Sequence, residues 1–281
     1  MMTAPVHAVR CGLVGGWVEL RQAFSGTGLV GQLFWPVATL GALAVLRHRS
    51  LPDGGPSLGP VILPGLLAMF VAFGLMLTVQ YLPADREDGT LSRARATPHG
   101  VRGYLAGKLL VASGSVVVYL VVVAVPGWFL VGGLRLGDVS WARLGGVLLV
   151  GLVATQLLGA TVGALLPSSR ASGYVALLVL GLTAISGIFY PVTALPGWVQ
   201  AVAQVFPLYW LGLGMRSAVL PDAAAAFEIA GSWRFPETAA VLGAWALASL
   251  VVAPLVLRRM ARRAPGTRLA EADDRPRRSP G

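Results

Sequence analysis

The chain has 281 residues, of which 56% are hydrophobic and only 12% are charged. A soluble globular domain carries roughly 25% charged residues, so this composition excludes an ordinary soluble domain. The formal net charge is +10, and a basic excess of this kind reflects nucleic acid binding, anionic lipid binding or membrane topology. Topology explains it best here, and we expect no nucleic acid partner.

Six long windows of the sequence contain no Asp, Glu, Lys or Arg, and each is as long as the roughly 20 apolar residues that a helix needs to cross a bilayer. We therefore predict an all-α integral membrane protein with a transmembrane domain over residues 1–257. The six predicted transmembrane helices are 28–46, 58–82, 109–131, 144–166, 173–190 and 238–257.

An amphipathic helix is predicted at residues 13–24, ahead of the first span. Trp17, Leu20 and Phe24 recur at helical spacing, and polar residues occupy the rest of the helical wheel. Such a helix lies in the membrane surface rather than across it. The alternative is a simple extension of the first span.

The loop between the second and third spans, residues 83–108, carries charges of both signs. We predict a short helix from about Gly89 to Ala96, preceded by carboxylates that its positive N-terminal end favours. A rigid charged helix of this kind is suited to docking on a soluble partner. The alternative is an ordinary solvated loop.

Polar groups are few within the predicted spans. An uncharged pathway would suit a hydrophobic or amphiphilic cargo, and our candidate pathway residues are Thr155, Gln156, Ser186, Phe189 and Tyr190. The alternative for the polar ones is interhelical hydrogen bonding. A stripe of small residues at every fourth position of the fourth span, from Gly151 to Gly163, predicts close helix packing within the chain.

The window 171–215 is long enough to hold two spans. Three prolines interrupt its second half, and aromatic residues cluster there as they do at membrane interfaces. We therefore predict one span followed by two short helices over 191–215, forming a re-entrant hairpin in the outer leaflet. Such broken backbone is tolerated where protein buries it.

The distribution of basic residues predicts the orientation. With the N-terminus inside, 16 Arg and Lys residues fall in cytoplasmic segments and six in outer segments. The positive-inside rule then places both termini in the cytoplasm. The arginine-rich stretch 258–281 lacks apolar periodicity, so we predict a disordered basic cytoplasmic tail.

The source of energy is expected to lie outside this chain. We expect its 12 carboxylates to fall in loops, the surface helix or the tail, whereas an ion-coupled carrier usually keeps an ionisable group at membrane depth. The sequence contains no G-x-x-x-x-G-K-[ST] motif, and the G-x-G-x-x-G at Gly26–Gly31 follows no predicted strand. The histidines and the single Cys11 are isolated, which argues against a metal or nucleophile site. We expect neither enzyme activity nor a cofactor in this chain.

Two stretches resemble the type 2 (ABC-2) permeases of ATP-binding-cassette (ABC) transporters, a group that contains bacterial drug, antibiotic and polysaccharide exporters. The first is similar to that family's first cytoplasmic loop, and the second to its fifth span and outer hairpin. The first stretch comprises Glu87-Asp88-Gly89-Thr90-Leu91 through Thr97-Pro98, followed by Tyr104 to Lys108. The second comprises Ser186-Gly187 to Pro191, Leu195-Pro196 to Trp198, and Phe206-Pro207 to Arg216.

The resemblance implies a homodimeric or heterodimeric permease in the bacterial cell membrane, with two cytoplasmic ATPase subunits that bind ATP and Mg. Residues 13–24 would be the elbow helix. The implied ATPase-coupling loop comprises Arg86, Glu87, Asp88, Gly89, Thr90, Leu91, Arg93, Arg95 and Pro98. The outer loops are short, which favours drug-type export over subclasses with large soluble insertions. The alternatives are an ion-coupled secondary transporter and a membrane enzyme or scaffold.

Overall fold

The computed structural model describes residues 4–49, 58–97, 100–132 and 134–263, which form ten α-helices and no β-strand. The all-helical class is therefore confirmed for these residues. The helices are α1 (Ala4–Ala23), α2 (Gly26–Leu46), α3 (Leu58–Glu87), α4 (Thr90–Arg95), α5 (Gly100–Val131), α6 (Trp141–Leu165), α7 (Ser172–Ile185), α8 (Gly197–Val205), α9 (Pro207–Val219) and α10 (Phe235–Arg263).

Five of the helices in the described part of the chain are long and apolar enough to cross a membrane: α2, α3, α5, α6 and α10. The fifth predicted span, 173–190, is shorter than expected. Its helix α7 has 14 residues, which extend about 21 Å at 1.5 Å per residue, against about 30 Å of hydrocarbon. The helix stops after Ile185 because Gly187 has a φ of +65°, and Pro191 follows closely.

Helix α3 is the centre of the bundle. Within its most apolar stretch 83% of the residues are buried, compared with 11% in α2. It packs against α5, α6 and α9. The small-residue stripe of α6 provides one of these contacts, since Gly159 faces Thr78 and Leu75, and a Cβ on Gly163 would lie 2.9 Å from the Val79 carbonyl oxygen. The predicted intramolecular packing of the stripe is confirmed.

Helix α1 begins at Ala4, nine residues before the predicted start. Its neighbour is the first half of α5, and paired glycines bring the two backbones together. A Cβ on Gly16 would lie 2.5 Å from the Gly107 carbonyl oxygen, and Gly12 lies just as tightly against Gly103. Because the paired residues ascend together, the two helices run in the same direction.

The three residues that define the predicted amphipathic face divide between the two sides of α1. Leu20 is buried against Gly114, and the Phe24 ring, just past the helix end, lies 6.1 Å from the Tyr119 ring. Trp17 is 61% exposed, beside other exposed apolar side chains. We predicted that this helix lies in the membrane surface. In the structure it runs along α5, which was not predicted.

Two short helices, α8 and α9, occupy the predicted hairpin region, and α9 is buried over all 13 residues. Its first turn packs near the middle of α3, where Leu208 joins a cluster with Leu75 and Val79. At its other end, the amide of Ser140 donates a hydrogen bond of 2.8 Å to the Ala218 carbonyl. Helix α9 thus runs from the middle of the bundle to the loop that precedes α6.

The last helix continues beyond the predicted end of the transmembrane domain. Helix α10 extends through Arg263, so 258–263 are helical instead of forming the start of a disordered tail. The remainder of the predicted tail, 264–281, lies outside the described residues.

Candidate functional site

Helix α4 (Thr90–Arg95) lies within the predicted coupling loop, close to the expected bounds of its short helix, 89–96. Gly89 has a φ of +76°, a left-handed conformation that glycine adopts without steric cost, and this turn redirects the chain after α3. Leu91 is 1% exposed and packs in a cluster with Leu82, Ala160 and Leu257. Leu91 therefore anchors α4 in the apolar cluster at the ends of α3, α6 and α10, and α4 packs mainly against α3 and α5.

The opposite surface of this loop is exposed and charged. Glu87, Asp88, Ser92 and Arg93 are exposed, and Arg93 Nη2 donates to Thr90 Oγ1 at 3.0 Å. The result is a polar surface with both signs of charge, formed by α4 and the turn that precedes it, as docking on a soluble partner requires. Pro98, which we also assigned to this loop, lies outside the described residues.

The end of α3 also holds the loop between α6 and α7. Arg86 Nη2 donates to the Leu166 carbonyl. The Glu87 carboxylate accepts hydrogen bonds from the Ser169 hydroxyl at 2.6 Å and from its amide at 2.8 Å. These bonds lower the pKa of Glu87, which lies beyond the predicted span ending at residue 82. Two loops of this end are therefore joined, a contact that sequence reasoning missed.

A charged network lies beside α4 and centres on Lys108, the only lysine in the chain. Its ammonium group lies 2.9 Å from Asp85 of α3 and 2.7 Å from Glu19 of α1. Tyr104 donates a hydrogen bond of 2.7 Å to the same Asp85 carboxylate. Asp85 is buried and helical, so our expectation that every carboxylate lies in a loop, the surface helix or the tail was wrong. The network joins three helices beside the coupling loop.

The polar candidates for a pathway make hydrogen bonds within the bundle. Thr155 is fully buried and donates to the Gly151 carbonyl at 2.8 Å. Gln156 is buried beside Ser113, with 3.1 Å between their side-chain oxygens. These contacts favour the alternative of structural hydrogen bonding for both residues.

The remaining pathway candidates follow α7. The Ser186 hydroxyl is buried and donates to the Thr183 carbonyl at 2.7 Å. Tyr190 donates to the Ala184 carbonyl, and both Phe189 and Tyr190 are partly buried. A pathway role for these residues stays a prediction.

At the other end of the bundle, a buried ion pair ties α9 to the segment that follows it. Arg216 and Glu228 are 2% and 6% exposed, and Nε of the arginine lies 2.6 Å from a carboxylate oxygen. Arg216 also donates to the Gly187 carbonyl at 2.9 Å. Sequence reasoning missed this pair because both residues were assigned to outer segments, where charges are ordinarily solvated.

Comparison with known families places these elements together. The sequence model of the ABC-2 type transporter family matches residues 11–220, which include α4, the charged network and the hairpin helices. No curated protein shows significant similarity to the chain. The match extends over more than half of the chain, and such membrane domains work with ATPase partners. This chain therefore belongs to the ABC-2 type transporter family and is a permease component of an ABC transporter.

Proposed function

We propose that this chain is the permease subunit of an exporter that moves a hydrophobic or amphiphilic solute, such as a drug, antibiotic, lipid or glycan-like molecule, out of a bacterial cell. A separate cytoplasmic ATPase, which binds ATP and Mg, drives the movement. Both termini are cytoplasmic in this proposal, as the distribution of basic residues predicts. The permease core contains two copies of this chain or one copy and a paralogue.

The anchoring of α4 carries the proposal. Leu91 is buried in an apolar cluster with residues of α3, α6 and α10, and α4 packs against α3 and α5, while Ser92 and Arg93 are exposed. A force applied by an ATPase to the exposed surface would reach the two spans α3 and α5, against which α4 packs. A solvated loop without a buried anchor would not transmit it.

Two further elements fit roles in the same machine. We assign α1 as the elbow helix because it precedes the first span, and Val14, Trp17 and Val18 form an exposed apolar face that lipid can cover. We assign α8 and α9 as the re-entrant hairpin. Helix α9 reaches only the middle of α3, and its backbone is buried in protein as membrane depth requires.

The exposed apolar face of α7 supports a second permease copy. Tyr174, Leu177 and Leu180 are each at least 67% exposed. Either lipid or a second copy could cover this face, so the face alone does not distinguish them. Membership of the family favours the second copy. The solute pathway would then form between the two copies.

The test is reconstitution with the cognate ABC ATPase. Ser92→Trp combined with Arg93→Glu changes the exposed surface of α4 and leaves Leu91 in place. We expect at least tenfold weaker ATPase binding and loss of ATP-dependent solute export from cells, with normal membrane insertion. Arg135→Glu, an exposed arginine at the other end of the bundle, is the matched control.

Full ATPase binding by the double variant would contradict the coupling role of α4. Solute transport by the chain alone under a proton gradient would instead establish the ion-coupled carrier. Transport directed into the cytoplasm would overturn export while leaving the coupling role intact.

A further inference from the structure

A cavity of about 530 Å³ opens beside α4, between α5 and α10. Its volume falls within the range of roughly 300–1,000 Å³ that is typical of small-molecule sites. The wall is mainly apolar, with Leu105 and Leu109 from α5 and Leu250 and Pro254 from α10. Leu250 is 50% exposed, so the cavity opens sideways from the bundle.

The charged side chains that line this cavity are both arginines. Arg95 ends α4 and Arg102 lies in the first turn of α5, and the described lining residues include no Asp or Glu. Burial lowers the pKa of Arg95, and the positive charge of Arg86 contributes to the same shift, but a guanidinium stays protonated in proteins. The described lining of the cavity therefore contributes positive charge and no carboxylate, which suits an anion.

The order of these groups along α5 matches the layers of a membrane. Arg102 comes before the predicted span 109–131, whereas Leu109 is its first residue. Arg102 thus lies at the level of lipid headgroups, whereas Leu109 and Leu250, within the predicted spans, lie at the level of acyl chains. Basic pockets between helices at the cytoplasmic side are known to bind anionic headgroups.

We propose that this cavity binds one anionic phospholipid of the cytoplasmic leaflet, with its phosphate at Arg95 and Arg102 and an acyl chain along the leucines of α5 and α10. The cavity lining includes Ala160 and Leu257, which belong to the same apolar cluster as Leu91. The lipid therefore occupies a site continuous with the anchor of the coupling helix.

The test is lipid binding to the purified, delipidated full chain, measured by native mass spectrometry. The probes are phosphatidylglycerol, phosphatidylcholine with the same acyl chains, and soluble glycerol 3-phosphate. We expect phosphatidylglycerol to bind at least tenfold more tightly than phosphatidylcholine, and glycerol 3-phosphate not to compete. Arg95→Gln with Arg102→Gln should abolish the preference.

Three variants sharpen the result. Arg170→Gln removes an exposed arginine from the same end of the bundle and should keep the preference. Leu250→Trp fills the apolar wall and should weaken phosphatidylglycerol binding with both arginines in place. Arg102→Gln alone, at an exposed position, should weaken it several-fold and replaces the double variant if that one does not fold.

An unchanged preference in the arginine variants would overturn the proposal. Equal competition by glycerol 3-phosphate would show a soluble-anion site instead, and a lower oligomeric mass in the variants would show that a second copy occupies the cavity. Because the measurement needs no ATPase and no transported solute, it stands apart from the test of the proposed export function.

Discussion

The two ends of the bundle hold their charges in different ways. At the end of the bundle away from α4, Arg216 and Glu228 form an ion pair that is almost completely removed from solvent. At the coupling end, Lys108 bridges Asp85 and Glu19, and the Glu19 side chain is 43% exposed. A buried ion pair holds its two side chains in one geometry, whereas the side chains of a partly solvated network can exchange partners at low cost. The difference is what a transporter driven from its cytoplasmic side would need.

Breaking the buried ion pair of Arg216 and Glu228 should have the largest effect on stability. Glu228→Gln leaves the buried guanidinium of Arg216 without its counter-charge, and we expect a loss of about 3–5 kcal/mol. The thermal unfolding of the protein in detergent measures it. The double variant Arg216→Met with Glu228→Leu should recover most of the loss, and a single variant as stable as the original protein would contradict the assigned role of the pair.

The next largest effect should come from the glycine contact between α1 and α5. Gly12→Leu forces its side chain into the Gly103 backbone, and overpacking of this kind costs about 1–3 kcal/mol. We expect a lower unfolding temperature and faster proteolysis of α1. Gly15→Leu is the matched control because a side chain there meets open space; equal effects of the two variants would contradict the close packing.

Removal of the central cation at the coupling end should reduce transport more than stability. Lys108→Met leaves Asp85 buried without its ion pair, although Tyr104 still donates to it. We expect a loss of about 1–3 kcal/mol and a larger fractional loss of ATP-driven export. Adding Asp85→Asn should restore stability but not export. Recovery of both would assign the network a purely structural role.

The smallest effect should come from Glu87, which is fully exposed at the end of α3. Its hydrogen bonds from Ser169 lower the folded-state pKa below the ordinary value of 4.5, so their contribution is present above that pH. It is lost as the pH falls through the folded-state pKa. Glu87→Gln should slightly lower the unfolding temperature at pH 7, and the difference should disappear in acid. A difference that persists once the Glu87 carboxyl group is protonated would contradict this cause.

Charge-free windows and one short charged loop were sufficient to predict five spans and α4, because hydrophobic length and helix-end chemistry are local properties. The contacts between elements were not local. The spacing of Gly12 and Gly16, repeated at Gly103 and Gly107, was a usable signal for packing of α1 on α5. No local pattern pairs Arg216 with Glu228, since the eleven residues between them include a turn whose course depends on the fold.

The shortness of α7 has a similar origin. Hydropathy continues without interruption through 186–190, so the sequence predicts one long helix. The end of the helix is set by the φ of Gly187 and by its contacts with Val192 and Arg216. The six-span topology and the depth of the hairpin therefore stay predictions.

The most direct test of the account is a photo-crosslinker placed at Ser92, on the exposed surface of α4, in the intact protein in its native membrane. Mass spectrometry of the product identifies the crosslinked chain. We expect the crosslinker at Ser92 to capture a protein whose sequence contains a G-x-x-x-x-G-K-[ST] motif. We expect a crosslinker at Arg135, at the other end of the bundle, to capture no such protein. The same ATPase captured equally from both positions, or none captured from Ser92, would contradict the claim that α4 is where the ATPase drives this permease.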